Sequence, residues 1–525
     1  MLRRPLPRLL FAVALFATAV VAQSGAQGSA QNPAPSGESV EAPTPPPPAW
    51  LTRGIELLES EDPVEAWRAF RDAPELEQPV PRSIGLGRSH LMLGNSSYAL
   101  AYAERALGAA PQRQDAMALT VRALIRARAF DEAVRRARAF VARSEPALAE
   151  LLAARGSALF RVQRTDDAAA VYRQVVALQS GNAEAHLRLG SGLLPPRKVT
   201  VPLDLRLAVG ALTAGDRAHA IELLERVLQK QPTHPIAHRL LGETLFAERT
   251  ANSMALQDEA FARLRDLLPK PDVRGLPIAT FVPGYQQLGK ARRAVVDRTA
   301  ALFRSQLEKL VAVGGRHDLL HELERTTDAN ARSNLRGQRT FDGRVWDDVR
   351  GVGGMQAATG MEALDEAATF GFDTFAHEVA HQVHFFTFSP LQRARIRSLY
   401  RRAMAEQRCL DYYAASNEAE YFGQGVEAFV SLAKRPGSET THGHTRFELK
   451  RIDPDLHDFI AGLVDFDPLE EPVLRERLLD AAVFVAIRCG RPEDAVVAAG
   501  MMREGRRRTH LIELAVRAER DQRSY

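Results

Sequence analysis

Apolar residues between positions 50 and 270 recur every three or four residues, the spacing of one face of an α-helix. Two of these stretches, Asp131–Ala142 and Thr165–Leu178, combine an apolar face with a charged one. Turn signals separate the stretches near Pro111, Pro146 and Pro232, because proline cannot continue a helix from its interior. This part of the chain is therefore predicted to be a succession of short amphipathic helices.

A small residue followed twelve positions later by alanine recurs along the same helices. The pairs are Gly54 and Ala66, Gly87 and Ala99, Gly156 and Ala168, and Ala208 and Ala220, while Val121 and Ala133 keep the spacing with a larger first residue. Successive alanines from Ala66 to Ala168 are 33, 34 and 35 residues apart. Small residues are needed where two helices cross, because their backbones approach closely there. The pattern predicts helical pairs that repeat about every 34 residues.

This pattern resembles the tetratricopeptide repeat, a right-handed α-solenoid, over about 220 residues. The interval from Ala168 to Ala220 is 52 residues, so we expect an insertion around Pro195 and Pro196. The resemblance implies a groove that binds a peptide or a partner protein. The alternative is a scaffold that orients the rest of the chain and binds nothing itself.

The first 22 residues have the organisation of a secretory signal peptide. Three arginines (Arg3, Arg4 and Arg8) precede an apolar run from Leu9 to Ala22, which ends in small residues. As a helix this run spans about 21 Å, short of the roughly 30 Å hydrocarbon core, so no permanent membrane span is expected. Residues 23–49 are rich in proline and small polar residues and form a linker. The mature protein is predicted to begin near Gln23 and to be exported, either periplasmic or extracellular.

The charge balance argues against a nucleic-acid partner. The net charge of the 525-residue chain is +4, and removing the three signal-segment arginines leaves +1. The mature chain also has no basic stripe interleaved with aromatic residues. The two cysteines, Cys409 and Cys489, can form at most one disulfide bridge.

One segment approaches a nucleotide-binding loop without completing it. Residues Gly284–Ala291 follow a strand-like stretch at Ile278–Val282 and have almost the spacing of a phosphate-binding loop. The position that should hold a Mg²⁺-binding hydroxyl is Ala291, and no strand ending in aspartate is evident downstream. No nucleotide is therefore expected as a ligand.

The segment Phe375–Phe386 contains the pattern His-Glu-x-x-His. His377 and His381 are four residues apart, hence about 40° apart around a helix, so both imidazoles face the same point. Glu378 lies beside them, where a carboxylate can act as general base on a water without binding the metal. The pattern predicts a catalytic Zn²⁺ site that needs a third protein ligand. The alternative is a helix whose histidines only pack or face solvent.

Downstream, Tyr413, Asn417 and Glu420 are followed by Tyr421 and Phe422. Glu420 lies 39 residues after His381. Together with the His-Glu-x-x-His pattern, this block resembles zinc metallopeptidases of the anthrax lethal factor and Pro-Pro endopeptidase type. The resemblance implies that Glu420 is the third zinc ligand and that Tyr413 donates a hydrogen bond to the oxyanion. Tyr412 is the alternative if the alignment differs by one residue. Glu427 is then left as an outer or surface residue.

Flanking segments extend the resemblance from about Gly284 to Asp465. Trp346–Gly354 is similar to the family's glycine-rich strand, and Thr445–Leu449 with Asp453 and Pro454 to its C-terminal turn and helix. One residue departs from the family pattern: Gln424 stands where an acidic residue usually follows the third ligand by one turn. A neutral amide orients a metal ligand less strongly than a carboxylate does.

Together these patterns predict a mainly α protein: a tetratricopeptide-like solenoid (50–270), a small α+β zincin-type metallopeptidase domain (275–470) and a C-terminal helical hairpin (471–525). The predicted function is an exported zinc-dependent endopeptidase, whose repeats bind its substrate or a partner. One alternative is an inactive interaction scaffold, and another is a zinc hydrolase acting on something other than peptides. His384, His442 and His444 are expected to be core or solvated histidines rather than ligands.

Overall fold

The computed structural model describes residues 46–74, 77–368, 372–436 and 443–523. The predicted signal peptide, nearly all of the linker and His442 lie outside these residues. Within the described residues no helix is both long and apolar enough to cross a membrane.

Antiparallel helical pairs build the first half of the structure. The helices are α1 (Ala49–Glu59), α2 (Pro63–Arg71), α3 (Pro79–Met92), α4 (Ser96–Ala109), α5 (Gln114–Arg126), α6 (Phe130–Ala142), α7 (Ala149–Arg161), α8 (Thr165–Leu178), α9 (Ala183–Arg188), α10 (Leu203–Thr213), α11 (Arg217–Lys230) and α12 (Pro235–Leu267). The predicted insertion separates α9 from α10, where a short π-helical turn and an extended segment include Pro195 and Pro196.

The periodic small residues lie where the helices cross. All five periodic alanines are completely buried: Ala66, Ala99, Ala133, Ala168 and Ala220. A Cβ atom added to Gly54 would lie 2.5 Å from the Phe70 ring, and one added to Gly156 would lie 2.9 Å from the ring of Tyr172. The steric reason for the sequence period is therefore visible in the structure.

The second half combines short helices with a small mixed sheet. Its helices are α13 (Ile278–Phe281), α14 (Lys290–Leu302), α15 (Arg304–Ala312), α16 (Met361–Ala368), α17 (Thr374–Phe386), α18 (Pro390–Ala405), α19 (Glu418–Val430), α20 (Arg446–Ile452) and α21 (Pro454–Ala461). Its strands are β1 (Arg316–Leu320), β2 (Gly351–Val352) and β3 (Gln356–Gly360). The strand order is β1-β3-β2, with β1 parallel and β2 antiparallel to β3. The strand-like stretch before Gly284 is helical in the structure, as α13.

A buried histidine joins the sheet to α17. His317 on β1 contacts Gln382 Oε1 through Nδ1 at 3.1 Å and Thr359 Oγ1 through Nε2 at 2.8 Å. Its ring also packs on Phe375, with 4.6 Å between ring centroids. Because these partners lie on α17 and β3, one side chain fixes the helix against two strands.

The C-terminal segment forms three helices, where the sequence predicted a two-helix hairpin. They are α22 (Pro472–Arg488), α23 (Pro492–Gly500) and α24 (Arg506–Arg523). They pack against the first repeats: Arg488 donates two hydrogen bonds to the buried Asp62 carboxylate, at 2.9 and 3.2 Å. The Tyr98 hydroxyl donates to the Arg523 carbonyl at 3.3 Å. The C-terminal helices therefore return to the beginning of the repeat array.

Turns of the repeats contact the second half directly. Arg128 donates to the backbone carbonyls of Cys409 and Leu410, each at 3.0 Å, and the guanidinium of Arg161 lies 4.3 Å from the centre of the Tyr412 ring. Cys409 and Cys489 are both buried and are not joined by a disulfide. Packing and hydrogen bonds, rather than a covalent bridge, therefore hold the repeats against the second half.

Candidate metal centre

Helix α17 presents the histidines of the His-Glu-x-x-His pattern. Asp373 caps its first turn by accepting a hydrogen bond from the Ala376 backbone N–H at 2.9 Å. The segment from Phe375 to His384 is entirely buried, so the helix crosses the interior of the second half. His377 and His381 lie on one face, as their spacing predicts.

Helix α19 supplies the carboxylate. The Asn417 side chain accepts hydrogen bonds from the backbone N–H groups of Ala419 and Glu420, both at 3.0 Å. This cap fixes where the helix begins and therefore the direction of its first turn. Glu420, in that turn, faces the two histidines.

The three side chains converge on one point. His377 Nε2 lies 3.0 Å from His381 Nε2 and 3.0 Å from Glu420 Oε2, and His381 Nε2 lies 3.4 Å from the same oxygen. Donor atoms in a tetrahedral zinc site with bonds of 2.0–2.1 Å are about 3.3 Å apart. Two imidazole nitrogens and a carboxylate at these separations suit a divalent cation, which offsets the repulsion between their lone pairs. The residues therefore fit a His₂Glu metal site.

Glycines allow close packing around the ligands. A Cβ atom on Gly423 of α19 would lie 2.9–3.1 Å from three atoms of the His377 ring. A Cβ atom on Gly351 of β2 would lie 2.7 Å from Glu378 Oε1, and one on Gly353 would lie 3.0 Å from the Cβ of His381. The glycine-rich segment and α19 thus contact the motif from two sides, in space that side chains would fill.

Burial and neighbouring charges shift the pKa values of both acidic groups. Glu378 is 8% exposed, and burial, together with the nearby Glu420 carboxylate, raises its pKa to about 8 against the opposing effects of His381 and Arg344. Burial also acts to raise the pKa of Glu420, but hydrogen bonds to His377 and His381 outweigh it and lower that pKa far below the usual value. Glu420 is therefore the anionic member of the triad.

The two adjacent tyrosines point to different partners. Tyr412 hydrogen-bonds to Arg161 of the repeats and stacks edge-on against Phe130. The ring of Tyr413 lies 6.4 Å from that of His377, between centroids, and burial raises its pKa well above 10. Asp411 accepts a hydrogen bond from the Tyr413 backbone N–H at 2.8 Å and so fixes this turn. Tyr413, not Tyr412, is the tyrosine beside the triad.

The residues beyond Glu420 on α19 do not join the metal group. Gln424 and Glu427 are completely buried, and the side-chain amide of Gln424 has no hydrogen-bond partner among the described residues. Burial raises the pKa of Glu427 to about 8, against the opposing charges of His444 and Lys434. The sequence left Glu427 as either an outer residue of the site or a surface residue. Its complete burial excludes the surface position. The Nδ1 atoms of His377 and His381 lack hydrogen-bond partners in the described part of the chain.

The other histidines lie away from the triad. His384 is buried among aromatic rings, with centroids 4.9 Å from Phe385 and 5.5 Å from Phe422. His444 lies 3.0 Å from a carboxylate oxygen of Glu448, and its pKa is raised to about 9, because that carboxylate outweighs burial. Neither lies in the His377, His381 and Glu420 group.

Sequence patterns missed a hairpin that reaches the site from the repeat side. Arg339 donates to Asp166 of α8 at 3.0 Å, and the Val345 N–H donates to the Gly192 carbonyl at 2.7 Å. Between these contacts, Phe341 packs on Tyr413 with 5.3 Å between centroids. Arg344 on the same hairpin acts to lower the pKa values of Glu378 and Tyr413 through its charge. Only the fold brings this segment to the motif, so no local pattern could have identified it.

A match to a family model supports the presence of repeats. A family model described as tetratricopeptide repeat matches residues 119–183, 153–193 and 205–262. A solved structure of a thermophilic tetratricopeptide-repeat protein from Thermus thermophilus is 19% identical, covers 37% of this chain and 97% of its own, and has a TM-score of 0.26. No curated protein matches the chain. The chain thus contains tetratricopeptide repeats, together with a buried group of two histidines and a glutamate that can hold a metal ion.

Proposed function

We propose that this protein is an exported zinc-dependent endopeptidase. The observation that carries the proposal is the convergence of His377, His381 and Glu420, with Glu378 adjacent on the same helix. The resemblance to lethal factor and Pro-Pro endopeptidase enzymes supports it through the motifs alone. We do not extend the proline preference of Pro-Pro endopeptidases to this chain.

The roles of the motif residues follow from their chemistry. His377, His381 and Glu420 hold the ion, and zinc supplies Lewis acidity at the scissile carbonyl when it is bound. Glu378 accepts a proton from the attacking water and returns it to the leaving amine. The positive charge of a divalent cation favours the ionised carboxylate, which opposes the effect of burial on Glu378.

Tyr413 is the proposed oxyanion donor. Its ring lies beside His377, next to the proposed reaction centre. Its raised pKa keeps the phenol protonated, as a hydrogen-bond donor must be. Arg344 adds positive charge on the same side of the site. The repeats support the site by holding the Arg339–Val345 hairpin, and they also offer surfaces for a substrate or partner protein.

Three substitutions and one digest test the proposal. Glu420→Gln should lose most bound zinc and nearly all hydrolysis, whereas Glu378→Gln should keep zinc and lose turnover, because the base is not a ligand. Glu427→Gln, seven residues from Glu420 on the same helix, is the matched control and should keep zinc. Zinc content is measured by elemental analysis and activity by digestion of an unbiased peptide library. Full zinc in the Glu420 variant with loss in the Glu427 variant would refute the ligand assignment.

The competing function is a protein-interaction scaffold with an inactive metal site. Gln424 favours it, because a neutral amide, without a hydrogen-bond partner among the described residues, occupies the position of an acidic residue in the family pattern. A zinc-loaded protein that cleaves no peptide in the library would favour the scaffold. Cleavage of esters or amides without cleavage of peptides would favour a hydrolase with another substrate class.

A further inference from the structure

A broad groove lies where the C-terminal helices meet the first repeat. It has a volume of about 1280 Å³ and is bounded by α2, α12, α22 and α24. We call it the arginine groove, because eight arginines but only four carboxylates line it. It lies on elements other than α17 and α19, which carry the candidate metal centre.

The floor of the arginine groove is apolar and partly exposed. Phe484 on α22 is 54% exposed and Leu514 on α24 is 42% exposed, and Leu267 and Ile487 lie beside them. Large apolar side chains left open to water favour a partner that covers them. The floor therefore offers two anchoring positions on neighbouring helices.

Two of the eight arginines that line the arginine groove lack a carboxylate partner among the described residues. The other six lie within 4 Å of a carboxylate; Arg507, for example, is 2.6 Å from Asp480, and Arg503 is 3.7 Å from Glu476. Arg477 and Arg506 are exposed and have no acidic partner among the described residues. These two guanidinium groups are available to an incoming carboxylate.

The combination favours an acidic polypeptide over other ligands. The groove exceeds the roughly 300–1,000 Å³ of small-molecule pockets. Phe484 is the single aromatic residue in its lining apart from His510, so it lacks the stacking surfaces of a nucleic-acid site. An amphipathic segment with apolar and acidic faces matches both the floor and the rim.

We propose that the arginine groove is a docking site for an acidic amphipathic segment of a partner protein. Its apolar residues cover Phe484 and Leu514, and its carboxylates pair with Arg477 and Arg506. This docking is independent of the metal centre, so the groove can hold a partner whether or not the chain cleaves peptides.

The test uses the full chain and two synthetic peptides of about 15 residues. Both carry Leu and Phe at helix positions i, i+3, i+4 and i+7; one has Glu at the remaining positions and the other has Lys. Fluorescence anisotropy should give saturable binding of the Glu peptide, weakened by salt, and at least about tenfold weaker binding of the Lys peptide.

Binding of the Glu peptide should weaken about tenfold in a double variant, R477E with R506E, and in Phe484→Ser. Arg395→Glu, an exposed arginine on α18, is the control and should leave it unchanged.

Three results would overturn the proposal. The first is the absence of saturable binding of the Glu peptide. The second is equal loss of binding in the Arg395 control, which would indicate general charge attraction. The third is tighter binding of duplex DNA or of anionic phospholipid vesicles than of the peptide, with the same dependence on Arg477 and Arg506, which would make the groove a polyanion or membrane site.

Discussion

Replacing Gly423 by alanine tests whether close packing of α19 fixes His377, a candidate metal ligand. The added Cβ atom would lie 2.9 Å from Cε1 and 3.1 Å from Nε2 of the His377 ring. Carbon atoms in favourable contact are about 3.5–4.0 Å apart, so the ring or the helix must move by about 0.6–1.1 Å. Metal sites tolerate shifts of about 0.2 Å in ligand position. The required movement is several times larger than that tolerance.

The expected consequence is a loss of zinc affinity of about 10- to 100-fold, the scale found when groups that orient metal ligands are removed. Helix propensity acts the other way, since alanine favours a helix over glycine by about 1 kcal/mol. Overpacking costs about 1–3 kcal/mol, so the net effect on the free energy of unfolding should be small or destabilising. Zinc affinity is measured by competition with a chelator, and stability by urea unfolding of the metal-free protein.

Gly108→Ala in α4 is the matched control, because nothing lies within 4 Å of the added Cβ atom there. It should keep wild-type zinc affinity and gain up to about 1 kcal/mol of stability. If Gly423→Ala binds zinc as tightly as the wild type while folding normally, then His377 does not depend on this contact and the packing argument is wrong.

Three further predictions concern other parts of the chain. Burial acts to raise the pKa of Glu184, but its ion pair with Arg122 outweighs burial and lowers that pKa to about 2. The stability that this ion pair contributes is present above pH 4.5 and is lost as the pH falls towards 2. Glu184→Gln should therefore lose up to about 3 kcal/mol in urea unfolding at pH 7, and the difference from wild type should shrink as the pH approaches 2. Arg488→Met should cost about 3 kcal/mol, because it leaves the Asp62 carboxylate buried and unpaired; an unchanged unfolding midpoint would contradict this. N-terminal sequencing of the mature protein should begin at or near Gln23, and an intact Met1 would contradict the export proposal.

The repeats and the histidine helix were predictable because both depend on local rules. Helix crossings need small residues at a fixed period, and Ala66 and Ala168 are completely buried as that rule requires. A four-residue spacing likewise places His377 and His381 on one face whatever the surrounding fold. These features need no knowledge of distant contacts.

The third ligand was less accessible to such reasoning. Glu420 and Glu427 share a helix face, so periodicity alone could not choose between them. The resemblance to a known family selected Glu420, and the physical basis of that choice is the Asn417 cap, which fixes where the helix begins. The contact of Gly351 with Glu378 was not predictable for a related reason: it exists only after β2 and α17 have packed together.

The position of the repeats relative to the site depends on contacts that sequence patterns do not encode. The Asp62–Arg488 pair joins residues 426 positions apart, and the Arg339–Asp166 pair joins residues 173 positions apart. Each pair joins two charged residues that belong to no recognisable sequence motif. Contacts of this kind determine how the repeats pack against the part of the chain that carries the candidate metal site.

Contact with the repeats makes them part of the candidate site's geometry. Gly192 has a φ of 94°, and a Cβ atom there would lie 2.9 Å from the Val345 carbonyl oxygen, so the backbone of the insertion fits directly against the hairpin. The same hairpin brings Phe341 against Tyr413, which lies beside His377. A shift of the insertion would therefore be transmitted through the Phe341 and Tyr413 rings to His377, one of the candidate metal ligands. In this arrangement the repeats support the oxyanion side of the proposed site, in addition to any partner that they bind.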